Sequence, residues 1–543
     1  MPRPHCVKSS LLALICASLA SVSLAATPGR PAEGTRSTAL RAPLGSAQLL
    51  AQMLLSEIAL ARGMLDDAAY GYADLARQSQ DARLIRRANE IELARTMLRA
   101  EQNPQGAETL LHRQLAAAAP DLRARLLLQL PAVFSRAADK AEAARIIERL
   151  AKPYPEVAEA HYAVAIALRN ANDAEAAFAA AERAQALRPD WEPGILLLVD
   201  SASKDRQAEV GERLRAFSAR NPQAIDARAT LARWLVQIGQ KEAAANEARQ
   251  LVEANPENNE LRFAMLGVAV EAGDFAQAET SLQRLLGDGW GEADRLRLIL
   301  AQVQEEQGRG AAALLNYAAV EPGPYYATAV GRRARLLADG GQVAEARAVL
   351  QGAMQTSTDD RPVLLALEAD LLRHLERRRE ALEVFDRLLA EQPENTGALY
   401  DSALVAEQLG RPADFERRLR RLLTINPQHA HALNALGYSL AERNTRLDEA
   451  RTLIEKAHAL EPEDPAILDS LGWLDFRQGR LEAAETQLRR AYATFPDPEV
   501  ASHLVEVLWA AGKKDEARAL HARALEAAPA NPLLQRIAKR LGL

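Results

Sequence analysis

Prolines recur in this sequence at a spacing that few folds accommodate. Pro120, Pro155, Pro189, Pro222 and Pro256 stand 35, 34, 33 and 34 residues apart. Pro393, Pro427, Pro462, Pro496 and Pro529 follow at 34, 35, 34 and 33. The 137 residues between Pro256 and Pro393 equal four periods and one residue, so the register survives where the marks are missing. Gly289-Trp290, Pro322-Gly-Pro324 and Ser357-Thr-Asp-Asp360 lie near the expected places there. Proline cannot continue a helix, so each mark reads as the end of one. A 34-residue unit then holds two helices, and such a pair cannot bury its own apolar face. It must stack on its neighbours.

Smaller signals agree. In Pro465–Pro496, Leu471, Gly472, Ala484, Ala491 and Pro496 occupy the seventh, eighth, twentieth, twenty-seventh and thirty-second places of the unit. Ala158–Pro189 repeats this with Val164, Ala165, Ala177 and Ala184, whereas Thr396–Pro427 has Ala403 at the eighth place and Phe415 at the twentieth. Small residues at the eighth and twentieth places let the two helices approach closely. Gly239, Gly273, Gly410, Gly479 and Gly512 mark turns where a left-handed residue ends a helix. Aromatics are only 4% of the chain, so thin helix-on-helix layers of Ala and Leu are favoured over large cores. Period and small residues together resemble the tetratricopeptide repeat (TPR). The resemblance implies an all-α TPR solenoid, a right-handed superhelix of about 14 helical hairpins.

The beginning of the chain reads differently. Arg3 and Lys8 precede the apolar run Leu11–Ala20, and Ser23-Leu-Ala25 supplies small residues at −3 and −1 of a cleavage site. Ile15 precedes Cys16 where a lipoprotein signal takes a small residue. Residues 1–25 are therefore expected to be a signal peptide and 26–45, rich in Pro, Gly, Ser and Thr, a flexible linker. The solenoid is expected over 46–528, with 529–543 as a C-terminal capping helix. The expected location is the periplasm.

Several function classes drop out. Lys+Arg 67 against Asp+Glu 73 gives a net charge of −6, without the basic excess that nucleic acid requires. Both cysteines, Cys6 and Cys16, lie in the leader, so the mature chain offers no thiolate metal site or cysteine nucleophile. Ser201-Ala-Ser-Lys204 has the spacing of a serine-enzyme motif but no partner motif. His429-x-His431 has no third ligand placed by spacing, and Gly287-x-Gly289-x-Gly291 follows no strand. The arginines at 373, 377–379, 417, 418, 420 and 421 read as solvated faces beside Glu376, Glu380 and Glu416. No enzyme, cofactor or metal is expected.

What remains is binding. The TPR resemblance puts first-helix positions on a concave surface, which selects Asn434, Tyr438, Asp469, Trp473, Phe476, Arg477 and His503 as a peptide-binding groove. Amides and carboxylates beside large aromatics suit a peptide held by its backbone and a few anchors. Trp473 reads either as such an anchor or as packing between repeats.

Leu433-Asn-Ala-Leu-Gly-Tyr-Ser-Leu-Ala-Glu442, Ile467-Leu-Asp-Ser-Leu-Gly-Trp473 and Phe495-Pro-Asp-Pro-Glu-Val500 carry a narrower resemblance. With Leu54-Leu-Ser-Glu-Ile-Ala59 and Asp81-Ala-Arg-Leu-Ile-Arg-Arg-Ala88, they are similar to outer-membrane TPR lipoproteins that serve as adaptors of the periplasmic carboxyl-terminal processing protease. The resemblance implies client proteins and that protease as partners, and outer-membrane association; the resembling adaptors dock the protease through a helix ahead of the solenoid, where this chain has only the Pro/Gly-rich residues 27–45. The alternative is a TPR scaffold for envelope or pilus assembly without a proteolytic partner. Protein recovered from the periplasmic fraction should begin at Ala26 or Thr27; N-terminal sequencing that finds Met1 retained removes the export reading.

Overall fold

The computed structural model describes residues 47–543 apart from Gly63. The expected signal peptide, both cysteines and the whole of the expected linker lie outside the described residues. The described chain is an all-α TPR solenoid, with 29 α-helices from Ala47–Ala61 to Pro532–Leu541 and no strand among the described residues. Fourteen pairs and one closing helix make up that number. No helix among the described residues is long and apolar enough to cross a membrane.

The chain divides into two compact units between Gln307 and Gly308. Within each, a helix packs on the next in sequence and, at most first helices, on the next first helix. Such contacts are what stacked pairs predict. The cores are built from Ala and Leu, with a few fully buried rings such as Phe217 in the first unit and Tyr317, Phe385 and Phe415 in the second. Phe415 fills the twentieth place of its unit opposite Ala403, which is fully buried. A large residue is tolerated there because its partner at the eighth place is small.

The turn glycines behave as their positions require. Gly239, Gly273, Gly410, Gly479 and Gly512 all have φ between 70° and 87°. Where glycine is missing, Asn172, Glu376, Asn444 and Arg446 take the left-handed conformation instead, at a steric cost that Asn bears best. One expectation is extended and another needs correction. Pro120 follows the end of the helix Pro104–Ala117 as its mark implies, and it also opens Pro120–Val133 at its first position, where its missing N–H costs nothing. Arg418 is no part of a solvated face: it is buried, its guanidinium 2.5 Å from Asp386 and 3.0 Å from the Ser402 hydroxyl.

Close approach is evident at Gly472. A Cβ there would stand 2.7 Å from Leu488 Cγ and 3.1 Å from the Ala484 carbonyl oxygen. Gly352, inside the helix Val343–Thr356, has open space around it. Alanine normally stabilises a helix interior over glycine by about 1 kcal/mol. Gly352→Ala should show that gain, whereas Gly472→Ala should lower stability by about 1–3 kcal/mol through overpacking. Denaturant midpoints that move in the same direction for both would contradict this account of helix spacing.

Candidate functional site: a three-helix groove in the C-terminal unit

Three first helices build the site: Ala430–Glu442, Pro465–Arg477 and Pro498–Ala510. Each starts on a side-chain cap. His429 Nδ1 accepts from the Ala432 N–H at 3.2 Å, Asp464 from Ile467 at 2.9 Å and Asp497 from Glu499 at 2.7 Å. Proline at the first position of the latter two fixes the backbone entering the helix. Residues four apart share a helix face. Asn434, Tyr438 and Glu442 form one column; Asp469, Trp473 and Arg477 a second; Glu499, His503 and Val507 a third.

The columns interlock. The Trp473 indole N–H donates to Glu442 at 2.7 Å, and its ring stacks on His503 with centroids 4.1 Å apart at 21°. Phe476 lies 5.2 Å from the same indole, and the Arg477 guanidinium 5.7 Å from it. His503 Nδ1 is 2.9 Å and 3.1 Å from the two oxygens of Asp469. The Tyr438 hydroxyl donates to Glu499 at 2.6 Å, bridging the first and third helices over the second. His503 Nε2 faces that hydroxyl at 3.5 Å.

The electrostatics follow from this enclosure. Burial lowers the proton affinity of His503, but the charge and hydrogen bond of Asp469, with Glu499 and Glu442 beyond, more than reverse it. The imidazole is held above its ordinary range. Burial pushes the Tyr438 phenol far up, helped by the charge and hydrogen bond of Glu499 and by Asp469 and Glu442. It is a proton donor at any working pH.

The seven residues selected from sequence fall into two sets. Asp469, Trp473 and His503 are buried inside the interlocked columns; Trp473 is 4% exposed. Phe476 and Arg477 sit half-buried at its edge. Asn434 and Tyr438, also half-buried, line with one side of Asp469 a hollow of about 310 Å³. Phe495, Asp497 and Glu499 complete its rim, and the residue list from sequence did not include them. Glu499 could have been found as the residue four before His503. Phe495 precedes its helix, where helical spacing carries no information.

Two other features stand apart. His431, Glu461 and Asp464 offer ligand atoms within 4.8 Å of one another, a juxtaposition that crosses a turn and that spacing did not reveal. One oxygen of Asp464 is already committed as a helix cap. In the first unit, the helix Ala47–Ala61 leaves Leu50, Leu54, Leu55 and Ile58 exposed, at 71%, 64%, 66% and 40%.

Family models match three stretches: a tetratricopeptide repeat-like domain over residues 213–373, and tetratricopeptide repeats over 372–437 and 470–532. The chain is a TPR-repeat protein. As such it is 42% identical over 213 residues to a TPR repeat-containing protein of Pseudomonas aeruginosa. That match takes in 39% of this TPR chain and 36% of the relative, about a third of the relative's length. A tetratricopeptide repeat protein from Parabacteroides merdae is 19% identical, covering 47% of this chain and all of its own, with a TM-score of 0.37. A thermophilic TPR protein of Thermus thermophilus is 27% identical over 34% of this chain and all of its own, with a TM-score of 0.30. PilW, a type IV pilus biogenesis factor, is 16% identical over 40% of this chain and 99% of its own, with a TM-score of 0.34.

The buried His503 gives the site a pH dependence with a definite sign. Its folded proton affinity is raised, so its stabilisation is complete below the unfolded value near about 6.5 and fades as pH rises through the folded one. His503→Gln should therefore cost more stability at about pH 6 than at about pH 9. Chemical denaturation of both proteins at both pH values measures the difference; an equal or larger cost at high pH contradicts it.

Proposed function

We propose that this protein is a non-enzymatic adaptor of the bacterial envelope, holding client proteins and presenting them to a periplasmic carboxyl-terminal processing protease. TPR repeats bind protein partners, and an adaptor needs one surface for its enzyme and another for its clients. The observation that carries the reading is the apolar stripe on the helix Ala47–Ala61, where Leu50, Leu54 and Ile58 recur every four residues and stay exposed with Leu55. Such a face suits insertion into a partner's groove. It lies on the first helix of the solenoid rather than on a helix ahead of it, at the end of the repeats where the resembling adaptors dock their protease. The hollow in the second unit supplies a separate surface for clients. The basic start and apolar run of Met1–Ala25 support an envelope setting.

The test is reconstitution with purified protease and client. Client cleavage should be faster in the presence of this protein, and a complex with the protease should survive gel filtration. Leu54→Glu should weaken that complex by about 2 kcal/mol or more, as loss of an interface hot spot does, while client binding persists. If neither acceleration nor a complex is seen with the unaltered chain, the adaptor reading falls and the assembly scaffold without a proteolytic partner replaces it.

A further inference from the structure

We infer that the hollow beside Tyr438 takes the arginine side chain of an extended client segment. This rests on the reading of the C-terminal unit as the client surface, and it names what that surface recognises.

Asn434 Oδ1 is enclosed and has no hydrogen-bond partner, which leaves the amide N–H groups of Asn434 as the donors of the lining. Glu499 uses Oε1 to accept from Tyr438, leaving Oε2. Asp497 uses Oδ1 as a helix cap, leaving Oδ2. The Tyr438 proton is spent on Glu499, and the Ser470 hydroxyl donates to the Ala466 carbonyl at 2.9 Å. No Lys or Arg lines the hollow, and the charge of nearby His503 is matched by Asp469. Apart from the Asn434 amide, the free polar atoms are the carboxylate oxygens of Glu499 and Asp497, and the lining is negative. It calls for a cationic occupant with several N–H groups.

Shape narrows the choice. About 310 Å³ lies at the lower end of the ligand-site range, roughly 300–1,000 Å³, and suits one side chain. Ala435 and Ala466 keep the space open, since no larger side chain projects from those positions. Phe495, 53% exposed at the rim, and the Tyr438 ring offer aromatic surfaces. A guanidinium stacks on such surfaces and presents five donors in a plane. An ammonium is a compact, strongly hydrated point charge and gains less from them.

The full chain should be titrated with Nα-acetylarginine N-methylamide, followed by ligand-observed NMR, alongside the lysine and citrulline analogues. The arginine compound should bind best, the lysine compound more weakly, and citrulline, which keeps the shape without the charge, at least about tenfold more weakly. Glu499→Gln should reduce arginine binding about tenfold, and Ala435→Leu, which fills the hollow, should abolish it. Glu482→Gln, the same charge change on the exposed face of Leu481–Thr494, should leave it unchanged. Circular dichroism verifies that each variant is folded.

Citrulline binding as well as arginine, or arginine binding indifferent to both hollow variants, overturns the assignment. Preferential binding of lysine overturns it in favour of a general cation site. The two readings separate cleanly. Loss of arginine binding in Glu499→Gln with client cleavage unaccelerated even by the unaltered chain sinks the adaptor and leaves the site. Accelerated cleavage without any arginine binding sinks the site and leaves the adaptor.

Discussion

A pair of helices 34 residues long has an apolar face on each side and no third layer to cover either. Everything in this molecule follows from that deficit. Burial can come only from the pairs before and after, so side chains must be small where backbones cross and larger where pairs meet. Gly472 against Ala484 and Leu488, and Gly437 against Ala450 and Ile454, are the tightest crossings of the second unit. Aromatic rings are scarce because interfaces this thin have little room for them.

The same rule explains which parts of the fold were legible. Period, glycine turns and small residues are local consequences of stacking, and they appear directly in the order of residues. Pro120 does two jobs, because proline suits the start of a helix as well as the space after one. Arg418 misled because a run of arginines looks solvated until the second helix of its own pair is seen to point one member inward, toward Asp386 and Ser402. The left-handed Glu376 and Arg446 have no signature at all. There the glycine is absent, and only the demand of the surrounding helices fixes the turn.

Legibility of the candidate site divides along the same line. The concave first-helix positions of the repeat put Asn434 with Tyr438 and Asp469 with Trp473 on shared faces, because that relation lies within one helix. What lies between helices could not be read. The Trp473–Glu442 and His503–Asp469 bonds join residues 31 and 34 apart, one repeat each. Those bonds draw Trp473, His503 and Asp469 inward and leave Asn434 and Tyr438 facing the hollow. Burial also explains the balance of charge: a carboxylate at 6% exposure and an imidazole at 5% are tolerable because they face each other.

One bond has a mechanical meaning. In a stack where each pair touches mainly its neighbours, bending is resisted one interface at a time, and the chain is a soft spring. The Tyr438–Glu499 contact spans 61 residues and skips a repeat. It acts as a guy-wire across two interfaces, so bending that parts the first and third of these helices must also break this bond. Tension applied to a bound polypeptide would then be transmitted through this end of the molecule rather than absorbed by it, and elastic give would be displaced to the repeats that lack such a tie.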